Sequence, residues 1–377
     1  MPKRKMPMDK VGETTLVLDL SAMGHNYRYL RSKIAPNTKF LGVVKAFAYG
    51  SDMVAIAKKL ETLGADYLAV AYVSEGGLLR NAGIKTPILV LHPLASNFEE
   101  MIDCCLEPSL YSQNILTQFL DAARAKKQVA YPVHIKFNTG LNRLGFREHD
   151  IGFIAEQFKA HDEVKVISVF SHLAASEDPN ERMFSLGQID TFKKCSSALA
   201  QKLGYAPLRH MLNTSGIINY ASEAQFEMVR SGIGLYGYGN DALIDPNLRP
   251  VATLKTIISQ IHEIGDGETV GYNRTFTSGS TTKTATLPIG HADGIGRQYG
   301  RGKASVLING KEAPLIGNVC MDMIMVDVTG VDCKEGDEVL VFGPQRSAEN
   351  FASGAGTISY EILTAISQRV KRVVIDR

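Results

Sequence analysis

Short apolar runs rich in β-branched residues alternate, over the first two thirds of this chain, with longer stretches in which apolar residues recur every three or four positions. The runs Phe40–Val44, Tyr67–Ala71, Pro87–Leu91, Pro108–Tyr111, Val133–Phe137, Lys165–Phe170, Leu208–Leu212 and Glu227–Arg230 read as buried strands. Between them Met53–Leu63, Ser74–Asn81, Ile115–Ala125, Ile151–Lys159 and Ser185–Leu203 read as helices. Several of these close with a glycine, as at Gly64, Gly83 and Gly204. Strands alternating with helices imply parallel βαβ units, and eight such strands predict an α/β fold of the (β/α)8 TIM-like barrel type rather than an open doubly wound sheet. A strand-like run at Leu16–Leu20 precedes the eight, followed by a helix that Ser21 caps and that runs through Tyr27, Leu30 and Ile34.

After about Gly239 the pattern changes. Asp241–Pro250 is turn-rich and reads as a linker. Beyond it lie short β-rich segments separated by glycines: Ala252–Ile261, Thr282–Leu287, Ala304–Ile308, Glu312–Ile316, Met323–Val328 and Glu338–Phe342. Ile308-Asn309-Gly310-Lys311 carries the Asn-Gly signature of a two-residue hairpin. One helix, from Ser359 to about Arg369, interrupts a C-terminal domain that is otherwise mostly antiparallel β. The expected organisation is a flexible N-terminus at 1–12, the barrel at 13–240 and the β-rich domain at 241–377.

Composition narrows the function classes. With 41 basic and 39 acidic residues the net charge is +2, which gives no case for nucleic acid binding. No apolar run reaches membrane-spanning length, and the basic start (Lys3, Arg4, Lys5, Lys10) is not followed by an apolar segment, so neither a membrane anchor nor a secretory leader is expected. The five cysteines form no Cys-x-x-Cys pair, which predicts neither a disulfide framework nor a metal site and fits a reducing cytoplasm.

In a barrel of this type the chemistry sits at the C-terminal ends of the strands and in the loops that follow. The first strand runs into Lys45 and the fifth ends at Lys136, with Asn142-Arg143 just beyond. The sixth ends in Ser171-His172, the seventh in Asn213-Thr214-Ser215-Gly216 and the eighth in Arg230-Ser231-Gly232-Ile233-Gly234. A lysine at the end of a buried strand is poorly hydrated and can lose its proton near neutral pH; taken alone, it reads as a snorkelling side chain. Loops seven and eight are where such barrels hold phosphate with backbone N–H groups and a helix N-terminus, a role that suits Thr214, Ser215, Gly232 and Ile233. A reactive lysine, an aromatic residue and a phosphate cradle on one rim point together to pyridoxal 5'-phosphate held on the lysine as a Schiff base.

Val44-Lys45-Ala46-Phe47-Ala48-Tyr49-Gly50 resembles the cofactor-lysine motif of alanine racemases. The resemblance continues through Asn138–Phe146, Ser171–Ala174, His210–Ser215 and Val229–Gly237, and in the second domain through Val270–Phe276, Pro288–Gly294, Cys320–Asp322 and Thr357–Glu361. It implies a two-base racemisation of alanine, with Lys45 and Tyr272 moving the Cα proton on opposite faces of the cofactor. An ordinary tyrosine titrates near ~10, so neighbouring positive groups must lower it; the resemblance links Tyr272 through His172 to Arg230. Arg230 faces the pyridine nitrogen, where a guanidinium can only donate and so keeps that nitrogen unprotonated. The resemblance also implies that Tyr49, Thr214 or Ser215, the backbone at Gly232 and Ile233, and Tyr360 hold the phosphate, that Asn213 is among the cofactor-binding residues, that Arg143 and Met321 meet the substrate, and that Lys136 matches a lysine that can be carbamylated. The resemblance further implies a head-to-tail homodimer, with Tyr272 and Met321 acting in the partner's site, and a role for D-alanine in peptidoglycan.

Three positions depart from the family pattern. Phe47 stands where Asn is frequent, a change expected to affect local packing. Asn138 stands where Asp is common, and His291 where Tyr is usual near the substrate entrance. His291 keeps a broader racemase acting also on serine as the alternative. A decarboxylase would place an acidic residue where Arg230 stands, and a pyridoxal-phosphate carrier without catalysis would lack the β domain. His92, His134, His149 and the five cysteines receive no functional role.

Overall fold

The computed structural model describes residues 13–239 and 245–376; the expected flexible segment 1–12 and the start of the expected linker lie outside them. Two compact units emerge, one made of residues 23–48 and 53–249, the other of residues up to 22, 49–52 and 250 onward. Among the described residues no helix is long and apolar enough to cross a membrane.

The first unit is the predicted barrel. Eight parallel strands close on themselves: Lys39–Val43, Tyr67–Val70, Ile88–Val90, Glu107–Leu110, Tyr131–Lys136, Val164–Phe170, Leu208–His210 and Met228–Ser231. Closure pairs the first with the last, Phe40 against Val229 and Leu41 against Arg230. Their near-continuous apolar character follows from burial on both faces, by the barrel interior and by the surrounding helices. The helix Met53–Thr62 buries Met53, Ile56, Ala57 and Leu60, the face that the sequence periodicity marks, and the long helix Arg182–Leu203 ends at Gly204 with φ of 80°.

The early strand departs from expectation. Thr15–Asp19 lies within the stretch assigned to the barrel, yet it pairs antiparallel with Ala252–Ile257 and parallel with Lys371–Ile375. The barrel is closed without it, so its hydrogen-bonding edges are met by the C-terminal strands instead. The first unit therefore begins inside the following helix, Leu20–Arg31, rather than at residue 13. The cap of that helix also differs: the Asp19 carboxylate, not Ser21, accepts from the Ser21 and Ala22 N–H groups at 2.8 and 3.1 Å.

The second unit is built on a nine-stranded sheet, mostly antiparallel. The predicted strands Thr282–Leu287 and Glu338–Phe342 occur with those bounds. The Asn-Gly hairpin forms with Ile308 opposite Lys311 and positive φ at both Asn309 (50°) and Gly310 (77°). The expected strand Ala252–Ile261 is two strands, Ala252–Ile257 and Gln260–Ile264, because the first pairs with Glu338–Phe342 and the second with Thr282–Leu287. The helix Ser359–Ala365 is shorter than predicted, and a further helix, Ala348–Ser353, and the last strand, Lys371–Ile375, had no sequence counterpart.

The turn after the first barrel strand has an unusual hand. Ala46, Phe47, Ala48 and Tyr49 have φ of 54, 52, 54 and 55°, and the Ala48 N–H donates to Val44 O at 3.0 Å. Left-handed backbone costs an L-residue roughly 1–2 kcal/mol, and Asn tolerates it best among residues with a β-carbon. The Phe47 departure is therefore a backbone matter rather than one of packing, since its ring is 48% exposed. The expected outcome of Phe47→Asn is a gain of about 0.5–1 kcal/mol in unfolding free energy, read as a higher thermal midpoint; a lower midpoint would contradict the assignment.

Candidate active site

Within the barrel, strand ends bring Lys45, Lys136, His172 and Arg230 to one rim, with Arg143 on the loop after the fifth strand. That loop is shaped by Asn138, whose Oδ1 accepts from the Gly140 and Asn142 N–H groups at 3.2 and 3.0 Å while its Nδ2 donates to Asn142 Oδ1 at 3.0 Å. An aspartate could make the first two bonds and not the third, so the Asn138 departure preserves the loop. Asn142 takes φ of 54° next to Arg143. Gly145 has φ of 132°, and a β-carbon there would fall 2.5 Å from Asn138 N.

Arg230 is buried and almost fully satisfied. Its Nη1 donates to His210 Nδ1 (2.7 Å) and His210 O (3.2 Å); its Nη2 donates to Ser171 O (2.7 Å), Met211 O (3.1 Å) and His172 Nδ1 (3.1 Å). A guanidinium only donates, so both histidines must present an unprotonated Nδ1. Burial first, and then the charges of Arg230 and its neighbours, hold His172 and His210 well below the ordinary imidazole range, in keeping with neutral rings. Among the described residues these bonds engage Nη1 and Nη2 and none engages the Nε–H, which leaves that donor available to a ligand.

Electrostatics on the rim are one-sided. Burial, then Arg143, lower the Lys45 pKa, with Glu75 acting in the opposite sense. Glu75 also ties down the left-handed turn: its Oε1 accepts from the Ala46 N–H at 2.6 Å and its Oε2 from the Ala71 N–H at 2.7 Å. Lys136 is pushed down to about 8 by burial and then by Arg143, Arg230 and Lys45. Positive groups concentrated with so little acidic compensation make a site for an anion.

Two helical elements begin just after the seventh and eighth strands, where the sequence predicts a phosphate site. The helix Thr214–Ala224 is capped by Asn213, whose Oδ1 accepts from the Gly216 N–H at 2.9 Å. Asn213 therefore serves the helix N-terminus itself. Buried Thr214 Oγ1 lies 3.0 Å from Ser231 Oγ and accepts from the Gly234 N–H at 3.2 Å, which locks this terminus to the short helical turn Ile233–Tyr236 after Gly232. The N–H groups of Thr214 and Ser215 at the start of one element and of Ile233 at the start of the other have no acceptor within their own helix. These features, with the lysine of lowered pKa and the free Arg230 donor, fit pyridoxal phosphate.

The remaining expected residues belong to the second unit. Tyr49 packs against Tyr360, ring centroids 5.9 Å apart; burial and then Tyr360 raise the Tyr49 pKa, so it stays a neutral donor. Tyr272 is 71% exposed and Met321 59%. Both line a cavity of about 420 Å3 with Cys320, Asp322, Met323 and Met325. Gly271 (φ 76°) and Asn273 (φ 61°) flank Tyr272, whose carbonyl accepts from Asn318 Nδ2 at 2.9 Å. The Met321 loop is held by its neighbour: the His291 and Ala292 N–H groups donate to Cys320 O and Met321 O at 2.9 and 3.0 Å. Arg369 bridges Asp293 and Asp322. His291 is exposed beside that loop.

Sequence reasoning missed His210 and Glu75. His210 was visible as the end of the seventh strand, inside a motif already singled out. Glu75 gave no signal, because its partners Ala46 and Ala71 end other strands.

Both halves of the chain match known families. The family described as "Alanine racemase, N-terminal domain" matches residues 18–240, and "Alanine racemase, C-terminal domain" matches residues 251–374. The alanine racemase of Halothermothrix orenii is 36% identical, covering 94% of this chain and 95% of that protein. Alanine racemase 2 of Caldanaerobacter subterraneus subsp. tengcongensis is 35% identical, covering 98% and 96%. Among solved structures, alanine racemase of Clostridium difficile superposes with a TM-score of 0.90 at 32% identity, covering 97% of this chain and 96% of that one. That of Bartonella henselae, with covalently bound pyridoxal phosphate, gives 0.88 at 29%, covering 97% and 100%.

The lowered Lys136 pKa has a thermodynamic consequence. Between about 8 and the ordinary lysine value of 10.5 the unfolded chain holds a proton that the folded chain has lost, so stability from this group rises with pH. Below pH 8 both states are protonated and the buried charge is a constant cost. Replacing Lys136 by Met removes that slope: in thermal melts from pH 7 to 10 the advantage of Lys136→Met over the unmodified lysine form should shrink as pH rises. A constant difference would refute the shift.

Proposed function

The chain belongs to the alanine racemase family, and on that premise we propose that it interconverts L- and D-alanine with pyridoxal phosphate, each active site being completed by a second copy of the chain. When bound, the cofactor withdraws electrons from the amino acid's Cα–H bond through its pyridine ring. The residues of this chain supply the rest. Lys45, whose amine is biased toward the neutral form, takes or returns the Cα proton on one face. The Tyr272 hydroxyl does so on the other. Arg143, positioned by Lys136, orients the substrate carboxylate, and a carbamate on Lys136 would give the arginine an anionic partner. Tyr49, Tyr360 and the N-termini at Thr214 and Ile233 hold the phosphate.

The observation that carries this reading is Arg230. A buried arginine whose terminal N–H groups are spent on its own scaffold, with one N–H left over, holds a ring nitrogen unprotonated. A ring nitrogen so held would make the bound cofactor a weak electron sink, which suits prompt return of the Cα proton by Lys45 or Tyr272 and hence racemisation. Exposure of Tyr272 and Met321 around a cavity supports a site finished by a partner. D-alanine made this way would feed peptidoglycan synthesis.

Lys45→Ala should abolish formation of D-alanine from L-alanine, and Tyr272→Phe should slow it by about 10²–10⁴, the usual contribution of a positioned acid–base group, with the two directions affected unequally. Chiral chromatography of products from L-alanine and L-serine reads both the rate and the substrate range. Undiminished activity in Lys45→Ala sinks the proposal. Fractions separated by sizing should show activity in the dimer only; equal specific activity in a monomer fraction refutes the shared site.

A further inference from the structure

Behind Arg230 the barrel interior holds a line of polar side chains that the reading above does not use. His210 Nε2 lies 2.9 Å from Ser168 Oγ, Ser168 Oγ lies 2.6 Å from His134 Nδ1, and His134 Nε2 lies 2.7 Å from Glu107 Oε2. His134, Ser168 and His210 have no exposed surface, and Glu107 and Arg230 retain 9% and 5%. The five residues come from five successive barrel strands. Glu107 opens its strand and Arg230 stands near the end of its own, so the line runs from the floor of the barrel up to the catalytic rim. Phe170 stacks on His210, 4.9 Å between centroids at 9°, and the Tyr67 ring meets His134 edge-on at 5.9 Å.

One assignment of the protons along this line uses every donor and every acceptor in it. At one end a guanidinium can only donate, so His210 Nδ1 accepts and its proton sits on Nε2. That Nε2–H donates to Ser168 Oγ. The serine has one hydroxyl proton, and the acceptor it meets is His134 Nδ1. The His134 proton is then on Nε2 and donates to the Glu107 carboxylate, which can only accept. Every link is satisfied by neutral imidazoles, and the line runs one way from a buried cation to a buried anion. Buried charges persist where they are paired and hydrogen-bonded, and chains of this kind polarise one another in a medium of low dielectric.

We propose that Ser168, His134 and Glu107 are positioning residues for Arg230: their one-way hydrogen-bond line, anchored on the Glu107 carboxylate, fixes the His210 tautomer and so the acceptor that the arginine meets. The inference rests on the reading of Arg230 as the donor to the cofactor's ring nitrogen. Without Ser168 the His210 ring is free to carry its proton on Nδ1, where it would meet the Arg230 N–H donor head-on and displace the guanidinium. Without the Glu107 charge the line remains bonded but ends on a weaker acceptor, so the tautomers of His134 and, through Ser168, of His210 are held less firmly.

The test uses holoenzyme reconstituted with pyridoxal phosphate and reads two quantities: the half-saturating cofactor concentration and the visible absorption band of the bound cofactor. Ser168→Ala should weaken cofactor binding about 3- to 10-fold, the loss of roughly one buried hydrogen bond, and shift the band. Glu107→Gln keeps an acceptor for His134 Nε2–H but no charge; it should shift the band in an otherwise unchanged chain and add nothing when combined with Ser168→Ala. Wild-type band and affinity in Ser168→Ala would overturn the proposal. So would an equal effect of Glu107→Gln with and without Ser168→Ala, because a residue acting only on stability is additive across the serine. If circular dichroism shows that Ser168→Ala does not fold, Glu107→Gln decides alone, and an unshifted band overturns the proposal. Failure of the unmodified chain to bind pyridoxal phosphate would instead overturn the cofactor reading on which this rests.

Discussion

Burial of the Arg230 charge is the constraint on which the rest of the site depends. A guanidinium removed from water is tolerable only when its donors are met, and losing one partner of a buried charge typically costs about 3–5 kcal/mol. Here the acceptors are the carbonyls of Ser171, His210 and Met211 and the Nδ1 atoms of His172 and His210. All of them lie at the ends of the sixth and seventh strands or in the residues just after. The register of those strands, Phe170 opposite His210 and His210 opposite Met228, thus sets where the charge sits. It also compels two histidines to stay neutral, and it lowers the proton affinity of Lys136 and His172. After burial itself, this one cation contributes to the protonation of His172, His210 and Lys136.

The lysine turn obeys a second constraint. Four non-glycine residues with positive φ after Lys45 cost more than a loop of this length would normally tolerate. The turn persists because it is held from outside, the Ala46 N–H by Glu75 and the Val44 N–H by Ala69 O at 2.8 Å, and closed from within by the Ala48 N–H on the Val44 carbonyl. Gly50 (φ 76°) ends it where a β-carbon would fall 2.0 Å from Leu363 O.

Much of this was legible in the chain. Alternating strand and helix periods gave the eight barrel strands, with most bounds one or two residues off, because strands buried on both faces are continuous apolar runs that end where the polar rim begins. The same rule placed Lys45, Lys136, His172, Asn213 and Arg230 at strand ends. The strand Thr15–Asp19 was visible as a strand but not as part of the C-terminal sheet, since its pairing partners lie more than 230 residues away and local pattern carries no information about long-range pairing. The hand of the turn at Phe47 was hidden for a related reason: its sequence has no glycine at those four positions, and only contacts from other strands make the conformation pay.

By itself, then, the sequence determined which residue types arrive at the rim, because strand length and polarity are local properties. Tertiary structure alone decided their protonation and their company. Whether Lys45 is neutral, which nitrogen of His210 bears a proton, and what stands behind Arg230 depend on burial and on hydrogen bonds between strands separated by tens of residues. His134 and Glu107 are the clearest case. On the page of the sequence they are a histidine given no role and an acidic residue beside a proline; folded, they are the far end of the hydrogen-bond line behind Arg230.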